Sequence, residues 1–347
     1  MYPALAVHDV LTSKVKDVKT LWVGGEGGME EPLVKRQGIP FQPIPAAGVH
    51  GVSPLVLPRN FIKLARGVLA SYGILNDFKP NVLFFTGGYV AAPMAFAGRS
   101  IPSVLYVPDI EPGMAIKSIA RFADVIAVTT EESQKFFNKR VFETGYPLRP
   151  DLALWDRQTA HQHLGISGTL PVVLVFGGSK GARSINLAVL NKLRLLLEKC
   201  EIIHLSGDGD WQIVQSTREQ LPVELASRYH AMPYLHEMGA ALAAADLVVA
   251  RAGASALGEF PLFALPAILV PYPHAWRYQK VNADYLTRRG AAIILPDNRL
   301  NDELLVTLTV LFDNPNKLKA MRAAMFELSH PRAAEKIASA LLELAGE

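Results

Sequence analysis

The stretch PVVLVFGGSKGARSIN, residues 171–186, decides the fold class of this chain. It opens with an apolar run rich in valine, which is typical of a parallel strand buried on both faces. Gly177, Gly178 and Gly181 then allow a tight turn close to a ligand, and Ser179 supplies a hydroxyl donor. A helix starting after this turn offers free N–H groups and a positive dipole end, which suit a phosphate or diphosphate. The stretch predicts a strand, a loop and a helix, with the loop either binding an anion or serving as a plain connection.

Apolar runs of this kind recur along the whole chain and alternate with longer amphipathic stretches. Strands that alternate with helices indicate βαβ units with right-handed crossovers. The fold class is therefore α/β, with two doubly wound parallel sheets. In chain order the predicted strands are TLWVGG (20–25), NVLFFTGG (81–88), SVLYVPD (103–109), DVIAVTT (124–130), RVFETGYP (140–147), PVVLVFGG (171–178), EIIHLSG (201–207), DLVVARAG (246–253), PAILVPYP (266–273) and AAIILPD (291–297).

A polar break at 148–168 separates the two sets of strands and predicts two domains. The first covers 1–150 and the second 151–330, while 331–347 reads as a helix that packs back on the first domain. Two doubly wound domains facing a central cleft bind ligands at the carboxyl ends of their strands. Site residues are therefore expected just after the strands.

The composition of the chain excludes several classes of protein and of binding site. The chain has 347 residues, of which 50% are hydrophobic and 19% charged, and its net charge is +3. That charge is too small to indicate a nucleic-acid partner. Cys200 is the single cysteine, which excludes a disulfide framework and a cysteine-rich zinc site. No apolar run reaches the ~18–20 residues of a membrane span.

The stretch RAGASALGEF, which begins at Arg251, repeats the arrangement of a strand, a small-residue turn and a helix. Gly253, Ala254 and Ser255 are small enough for a ligand to lie against the backbone. Glu259 follows about one turn later, where a carboxylate is able to accept two ribose hydroxyls. The alternative is a solvated glutamate on a helix face.

A third strand end is followed by PYPHAWRYQKVNADYL, in which Gln279 and Asn282 are three residues apart and share one helical face. Uncharged amides suit sugar hydroxyls. His274 is a possible ligand contact, although an ordinary loop histidine fits the pattern as well.

Two strand ends in the first half carry further candidates. FTGGYVAAP places Gly87, Gly88 and Tyr89 after one strand, in a turn that either binds a ligand or only connects. YVPDIEPG places Asp109 and Glu111 after the next strand, where each is a candidate general base or a solvated loop carboxylate.

A basic and apolar stretch at 49–75 differs from the rest. Such a surface is able to sit on anionic lipid, and the alternative is a core helix with a solvated basic face. The candidate membrane-facing residues are Leu55, Leu57, Arg59, Phe61, Lys63, Leu64 and Arg66.

Several familiar catalytic signatures are missing from the sequence. There is no GxGxxG fingerprint and no GK[ST], which disfavours a dinucleotide-dependent oxidoreductase and an ATPase. There is no GxSxG elbow and no metal-ligand spacing.

Taken together, the motifs resemble those of one family. GGSKGARSIN resembles the GGSQGARxLN stretch of the MurG N-acetylglucosaminyltransferases, and RAGAS with Glu259, PYPHAWRYQKVNADYL and RRGAAIIL follow in the same order. FTGGYVAAP and IPSVLYVPDIEPG resemble the acceptor half of that family, and PALAV resembles the segment after its first glycine loop. The similarity spans essentially the whole chain.

The resemblance implies a GT-B fold, in which two Rossmann-like domains face a cleft. It implies inverting transfer of GlcNAc from UDP-GlcNAc to the C4 hydroxyl of the muramoyl sugar of undecaprenyl-linked lipid I, which yields lipid II for peptidoglycan. It also implies peripheral binding to the anionic cytoplasmic face of the bacterial plasma membrane. Neither a cofactor nor an obligatory metal is expected, because a helix N-terminus is able to stabilise the departing UDP.

The resemblance also implies roles for individual residues. Gly177, Gly178 and Ser179 would meet the diphosphate, and Arg149 would add positive charge. Arg251 and Gly253 would also bind the donor substrate. Ala254 and Ser255 would lie along the nucleotide, Glu259 would hold the ribose, Gln279 would contact GlcNAc and Asn282 would support it. Gly87, Gly88 and Tyr89 fall on the acceptor side.

Two departures from the family pattern stand out. The family's HEQN stretch reads YVPD here, so Asp109 stands in the place of the asparagine and becomes a candidate base. The family's GGTGGH loop, whose histidine is another candidate base, would fall directly before Met1. We therefore expect the first sheet to lack a central strand.

Three alternatives remain at this point. Another lipid-directed GT-B enzyme, such as a diacylglycerol glucosyltransferase, would share the donor half and differ in the acceptor half. A catalytically inactive UDP-sugar-binding relative would keep the donor site without a base. The disfavoured oxidoreductase is the third.

Overall fold

The chain divides after Leu148 into two α/β units. One comprises Met1–Leu148 together with Pro331–Glu347, and the other comprises Arg149–His330. The structure is a computed structural model that describes residues 1–28, 30–48, 53, 55–178, 180–273 and 278–346. The C-terminal helix thus belongs to the first unit, where it packs against the first helix and a central strand.

The strands, in chain order, are β1 (Trp22–Gly25), β2 (Phe41–Ile44), β3 (Leu83–Phe85), β4 (Ser103–Val107), β5 (Val125–Val128), β6 (Val141–Glu143), β7 (Val172–Phe176), β8 (Glu201–Leu205), β9 (Tyr229–Met232), β10 (Leu247–Ala250), β11 (Ala267–Leu269) and β12 (Ala292–Ile294).

The helices are α1 (Tyr2–Lys14), α2 (Glu30–Arg36), α3 (Leu57–Phe78), α4 (Ala91–Ala97), α5 (Met114–Ile119), α6 (Arg157–Leu164), α7 (Arg183–Asn191), α8 (Leu193–Leu197), α9 (Trp211–Glu219), α10 (Val223–Ala226), α11 (Met238–Ala244), α12 (Ala256–Leu262), α13 (Tyr278–Arg288), α14 (Leu300–Phe312), α15 (Pro315–Phe326) and α16 (Ala333–Ala345).

The second unit is built on one parallel sheet with the strand order β12-β11-β10-β7-β8-β9. Helices α7 and α14 cover one face, where Val173, Val249 and Ile185 join the core, and α6 and α11 pack together beside β7. Because the central strands are covered on both faces, their apolar runs do not alternate with polar residues. The predicted α/β class with parallel sheets is confirmed.

The first unit holds two separate parallel sheets, β1-β2 and β3-β4-β5-β6. A cavity of about 450 Å³, lined by parts of β1, β3, α1 and α3, lies between them. Within the described ranges no strand pairs with both β1 and β3. That a further strand belongs in this gap stays a prediction.

Two strands, β2 and β9, are absent from the predicted set, and both are edge strands. Pro43 interrupts β2, which is tolerated because the strand pairs on one side only. β9 contains His230, which is partly exposed and bonds to Glu201 of β8 at 3.1 Å. Short edge strands with a proline or a polar residue lack the apolar signal of central strands.

Helix α3 buries several small or polar residues and leaves several large apolar side chains exposed. Its buried residues include Gly67 and Ser71, and the Ser71 hydroxyl donates to the Gly67 carbonyl at 2.8 Å. A Cβ atom on Gly67 would meet the carbonyl oxygen of Pro45. Large apolar side chains lie outside, with Phe61 58% and Leu69 71% exposed. None of the helices in the described part of the chain has the length and apolar character needed to span a bilayer.

Alanine at Gly67 and at Gly73 probes two environments within α3. Gly73→Ala is expected to raise the free energy of unfolding by about 0.5–1 kcal/mol, because alanine favours helix and nothing lies within 4 Å of the added Cβ. Gly67→Ala is expected to lower it by roughly 1–3 kcal/mol, because the added Cβ meets backbone. Chemical denaturation followed by circular dichroism measures both, and equal changes would contradict this packing of α3.

Candidate functional site

The residues predicted to bind the donor substrate lie together at one edge of the six-stranded sheet, the donor edge. β7, β10, β11 and β12 are neighbours and run parallel, so their carboxyl ends meet at the same edge. The glycine loop follows β7, the RAGAS loop follows β10, and α13 with its two amides follows β11. Residues that are about 100 positions apart in the chain are brought together in this way.

The loop after β7 needs glycine for two different reasons. Gly178 and Gly181 have φ values of +92° and +76°, which side chains rarely adopt. A Cβ on Gly181 would also collide with the carbonyl of Ser206, and one on Gly177 would collide with Ala182. The glycines therefore leave the backbone before α7 without side chains. The N-cap residue of α7, Ala182, has no polar side chain that could bond to the free N–H groups of the first turn. Ser179, whose hydroxyl is predicted to donate a hydrogen bond to the diphosphate, lies outside the described residues.

A chain of buried polar groups lies beneath this loop. Asn186 donates from Nδ2 to the Ser206 carbonyl and to Asp210 Oδ2, both at 2.8 Å. Its Oδ1 is therefore an acceptor, and His204 must donate to it from Nε2 at 3.0 Å. The Tyr229 hydroxyl then donates to His204 Nδ1 at 2.7 Å. Burial lowers the pKa of His204 to about 4, so the imidazole is neutral and fixed in one tautomer.

The two predicted amides on α13 both bond to neighbouring loops. Asn282 is fully buried and donates to the Ala252 carbonyl at 3.2 Å, so it ties α13 to the RAGAS loop. Gln279 accepts a hydrogen bond from the backbone N–H of Tyr272 at 2.8 Å. His274, the possible ligand contact, lies outside the described residues.

The RAGAS loop combines accessible small residues with a charged anchor. Gly253, Ala254 and Ser255 are partly buried. Arg251 donates to Asp297 at 2.5 Å. Asp297 is not predictable from the sequence, because a carboxylate in the turn after β12 carries no recognisable signal there.

Glu259 occupies a less solvated position than a helix-face glutamate. It lies in α12, and burial raises its pKa, while a side-chain hydrogen bond from Ser255 and the positive charge of Arg149 act in the opposite direction. The carboxyl therefore holds its proton more readily than an exposed glutamate does. A protonated carboxyl is able both to donate and to accept hydrogen bonds.

The first unit carries its candidates after β3 and β4. Gly87 and Gly88, with φ values of +97° and +89°, follow β3, and Tyr89 beside them is 54% exposed. Asp109 and Glu111, both partly buried, follow β4.

Side chains from the segment after β5 hold the loop of Asp109. Thr129 Oγ1 donates to the Pro108 carbonyl at 2.8 Å, and Ser133 Oγ donates to the Ile110 carbonyl at 2.9 Å. The backbone on both sides of Asp109 is therefore anchored.

The predicted membrane-facing residues lie on α3 and just before it. Leu55 is 92% exposed, and Phe61, Arg59 and Arg66 are exposed as well. The remaining three, Leu57, Lys63 and Leu64, are half-buried.

The described part of the chain contains no group of three His, Cys, Asp or Glu side chains arranged to hold a metal ion.

Comparisons with known proteins agree on the family. Residues 1–128 match the glycosyltransferase family 28 N-terminal domain, and residues 172–337 match the glycosyltransferase family 28 C-terminal domain. A relative from Roseiflexus sp. strain RS-1 is 39% identical, with 92% of this chain and 82% of the relative covered. A relative from Desulforudis audaxviator is 36% identical over 100% of this chain and 96% of its own length. Both are named UDP-N-acetylglucosamine--N-acetylmuramyl-(pentapeptide) pyrophosphoryl-undecaprenol N-acetylglucosamine transferase.

Solved structures agree with the predicted architecture. MurG from Acinetobacter baumannii superimposes with a TM-score of 0.80 at 25% identity, covering 99% of this chain and 95% of that one. The GT-B prediction is thereby confirmed. The UDP-GlcNAc 2-epimerase of Neisseria meningitidis, solved with UDP-GlcNAc, superimposes with a TM-score of 0.68 at 12% identity, with 99% and 96% covered. That second likeness concerns the fold alone.

The protonation of His204 is testable through pH. Its contribution to stability is expected to be fully present above pH 6.5, where the unfolded imidazole is neutral, and to be lost as the pH falls through about 4. The loss amounts to roughly 3 kcal/mol at most. Long-range ¹H–¹⁵N NMR is expected to show a neutral Nε2–H ring at pH 5. A ring already doubly protonated at pH 5.5 would contradict the buried hydrogen bonds from Tyr229 through His204 to Asn186.

Proposed function

The chain belongs to the MurG family of glycosyltransferases, and we propose that it moves GlcNAc from UDP-GlcNAc to the C4 hydroxyl of lipid I, with inversion, to form lipid II. The donor edge of the second unit carries this proposal. A bare glycine loop at the start of α7, two amides on α13 and a carboxyl with a raised pKa on α12 meet there. The names of the curated relatives supply the two substrates, and no observation favours another lipid acceptor or an inactive relative.

The glycine loop is proposed to hold the diphosphate. Gly177 and Gly178 have no side chains to cover the backbone, and Ser179 adds a hydroxyl. The free N–H groups at the start of α7 favour binding of an anion. Arg149 contributes positive charge near Glu259. These groups stabilise the charge that develops on departing UDP, so we propose that the transfer needs no cofactor and no obligatory metal.

The residues after β10 and β11 are proposed to bind the nucleoside and the sugar. Small side chains at Ala254 and Ser255 allow the nucleotide to lie along the loop. Glu259 binds the ribose hydroxyls, because its partly buried carboxyl gives up few hydrogen bonds to water when the ribose binds. Gln279 contacts the GlcNAc hydroxyls, and the fully buried Asn282 keeps this region in place.

The chemical step is a substitution at the anomeric carbon. The C4 oxygen of the acceptor forms the new glycosidic bond, the bond to the UDP oxygen breaks, and a base takes the hydroxyl proton. Asp109, in its anchored loop, is the base proposed from this chain's own residues. Gly87, Gly88 and Tyr89 are proposed to contact the acceptor.

The exposed face of α3 is proposed to bind the anionic cytoplasmic surface of the bacterial plasma membrane. The acceptor named for the relatives carries an undecaprenyl chain, which is an apolar lipid. Phe61 and Leu55 offer exposed apolar side chains, and Arg59 and Arg66 are exposed basic residues of helix α3. Apolar area together with basic charge is the combination that holds a peripheral protein on anionic lipid.

Turnover tests the proposal directly. With UDP-GlcNAc and a lipid I analogue, the chain is expected to release UDP and form a β-linked disaccharide, with the same rate in EDTA. Glu259→Ala is expected to raise the donor Kd and KM by about tenfold or more, because the ribose loses a buried partner. Glu219→Ala, which removes an exposed glutamate of the same unit, is the matched control.

The outcomes of this assay separate the parts of the proposal. Failure of the chain to bind UDP-GlcNAc would contradict the function. Equal donor affinity in the Glu259 and Glu219 variants would contradict the ribose role, and loss of turnover in EDTA would contradict the metal-independent step.

Vesicle binding tests the membrane surface. Replacing Phe61 and Leu69 by serine is expected to abolish sedimentation with vesicles of phosphatidylglycerol and phosphatidylethanolamine, since apolar area is lost. Arg66→Ala is expected to weaken binding by about 1 kcal/mol and to reduce its salt dependence. Val306→Ser, on an exposed site of α14, is the control. If the Phe61 and Leu69 double variant sediments with vesicles as well as Val306→Ser does, the proposed membrane-binding surface is contradicted.

A further inference from the structure

One guanidinium links the ends of four neighbouring strands at the donor edge. Arg251, directly after β10, donates from Nη1 to Asp297 Oδ1 at 2.5 Å and to the Val270 carbonyl at 3.1 Å. From Nη2 it donates to Ser184 Oγ at 2.8 Å. Its guanidinium carbon lies 5.2 Å from the ring centre of Tyr272, within the range of a cation–π contact.

Each partner of Arg251 follows a different strand. Ser184 lies in the first turn of α7, after β7, while Val270 and Tyr272 follow β11, and Asp297 follows β12. In the order β12-β11-β10-β7 these strands are consecutive. The Ser184 hydroxyl also donates to Asp297 Oδ1 at 2.8 Å, which closes the arrangement into a ring of three side chains.

The arrangement is sheltered from water and specific to arginine. The Arg251 side chain is 11% exposed and that of Asp297 is 24% exposed. A planar guanidinium is able to donate in several fixed directions and to stack on a ring at the same time, whereas an ammonium group acts as a single point charge. Charge-assisted hydrogen bonds in a partly buried site are stronger than neutral ones.

The loops held in this way carry the proposed donor contacts. The glycine loop precedes Ser184, the RAGAS residues follow Arg251, and Tyr272 donates its backbone N–H to Gln279. We propose that Arg251 and Asp297 are positioning residues, which fix the diphosphate, nucleotide and sugar loops relative to one another instead of contacting the donor. This inference rests on the proposed function, and it replaces the sequence-based expectation that Arg251 binds substrate directly.

Asp297→Asn separates positioning from direct contact. If Arg251 bound the donor itself, removal of the Asp297 charge would leave the positive charge of Arg251 uncompensated, and donor affinity would be equal or higher. A positioning role predicts that the UDP-GlcNAc Kd, measured by calorimetry, and the donor KM both rise roughly tenfold while kcat at saturating donor changes far less. Hydrogen exchange is expected to quicken in 177–186, in 251–255 and at the backbone amide of Tyr272. Ser184→Ala, a smaller change, is expected to act in the same direction.

Arg157→Lys is the matched control. Arg157 donates to both oxygens of Asp246 at 2.8 and 2.9 Å, just before the opposite end of β10. This variant replaces the two-point arginine–aspartate contact by a single ammonium contact in the same unit, beside the same strand, and is expected to keep the wild-type donor Kd.

The possible results decide between the claims. Wild-type affinity in both the Asp297 and Ser184 variants, or an equal loss in Arg157→Lys, would overturn the positioning role while the proposed function stands. A wild-type chain that binds no UDP-GlcNAc would overturn the proposed function and this inference with it.

Discussion

Parallel pairing of β7, β10, β11 and β12 is the constraint on which the donor edge depends. It places four carboxyl ends at one edge of the sheet, so that residues about 20 to 70 positions apart become neighbours. The strands are short, and their apolar residues are buried under helices on both faces. The sheet sets the approximate positions, and polar contacts among the loops then set the finer geometry.

Those contacts differ in electrical character on the two sides of the glycine loop. Beneath it the link from Tyr229 through His204 to Asn186 is neutral, because burial keeps the imidazole unprotonated. Beside it the link from Arg251 to Asp297 is charged and only partly buried. A neutral link tolerates deep burial, whereas an ion pair needs several hydrogen bonds to offset the loss of water. Both links end at backbone or side chains next to the loop.

The sequence predicts central strands well and contacts between loops poorly. Val172–Phe176 is recognisable because a strand buried on both faces is apolar at every position. β2 carries Pro43 and β9 lies at an edge, so neither shows that pattern. Gly177 and Gly181 were found as turn residues, but the nearby backbone that excludes a side chain is visible only in the fold. Asp297 could not be predicted, because its partner Arg251 is 46 positions away and lies on another strand end.

The outward face of α3 follows from what the helix buries. Gly67 lets α3 approach the Pro45 carbonyl so closely that a side chain does not fit at that position, and Ser71 is buried on the same side. Phe61 and Leu69 lie away from this contact and stay exposed to water. Their apolar area contributes free energy only when another surface covers it. Basic side chains on the same helix favour an anionic cover, and a lipid surface supplies both properties at once.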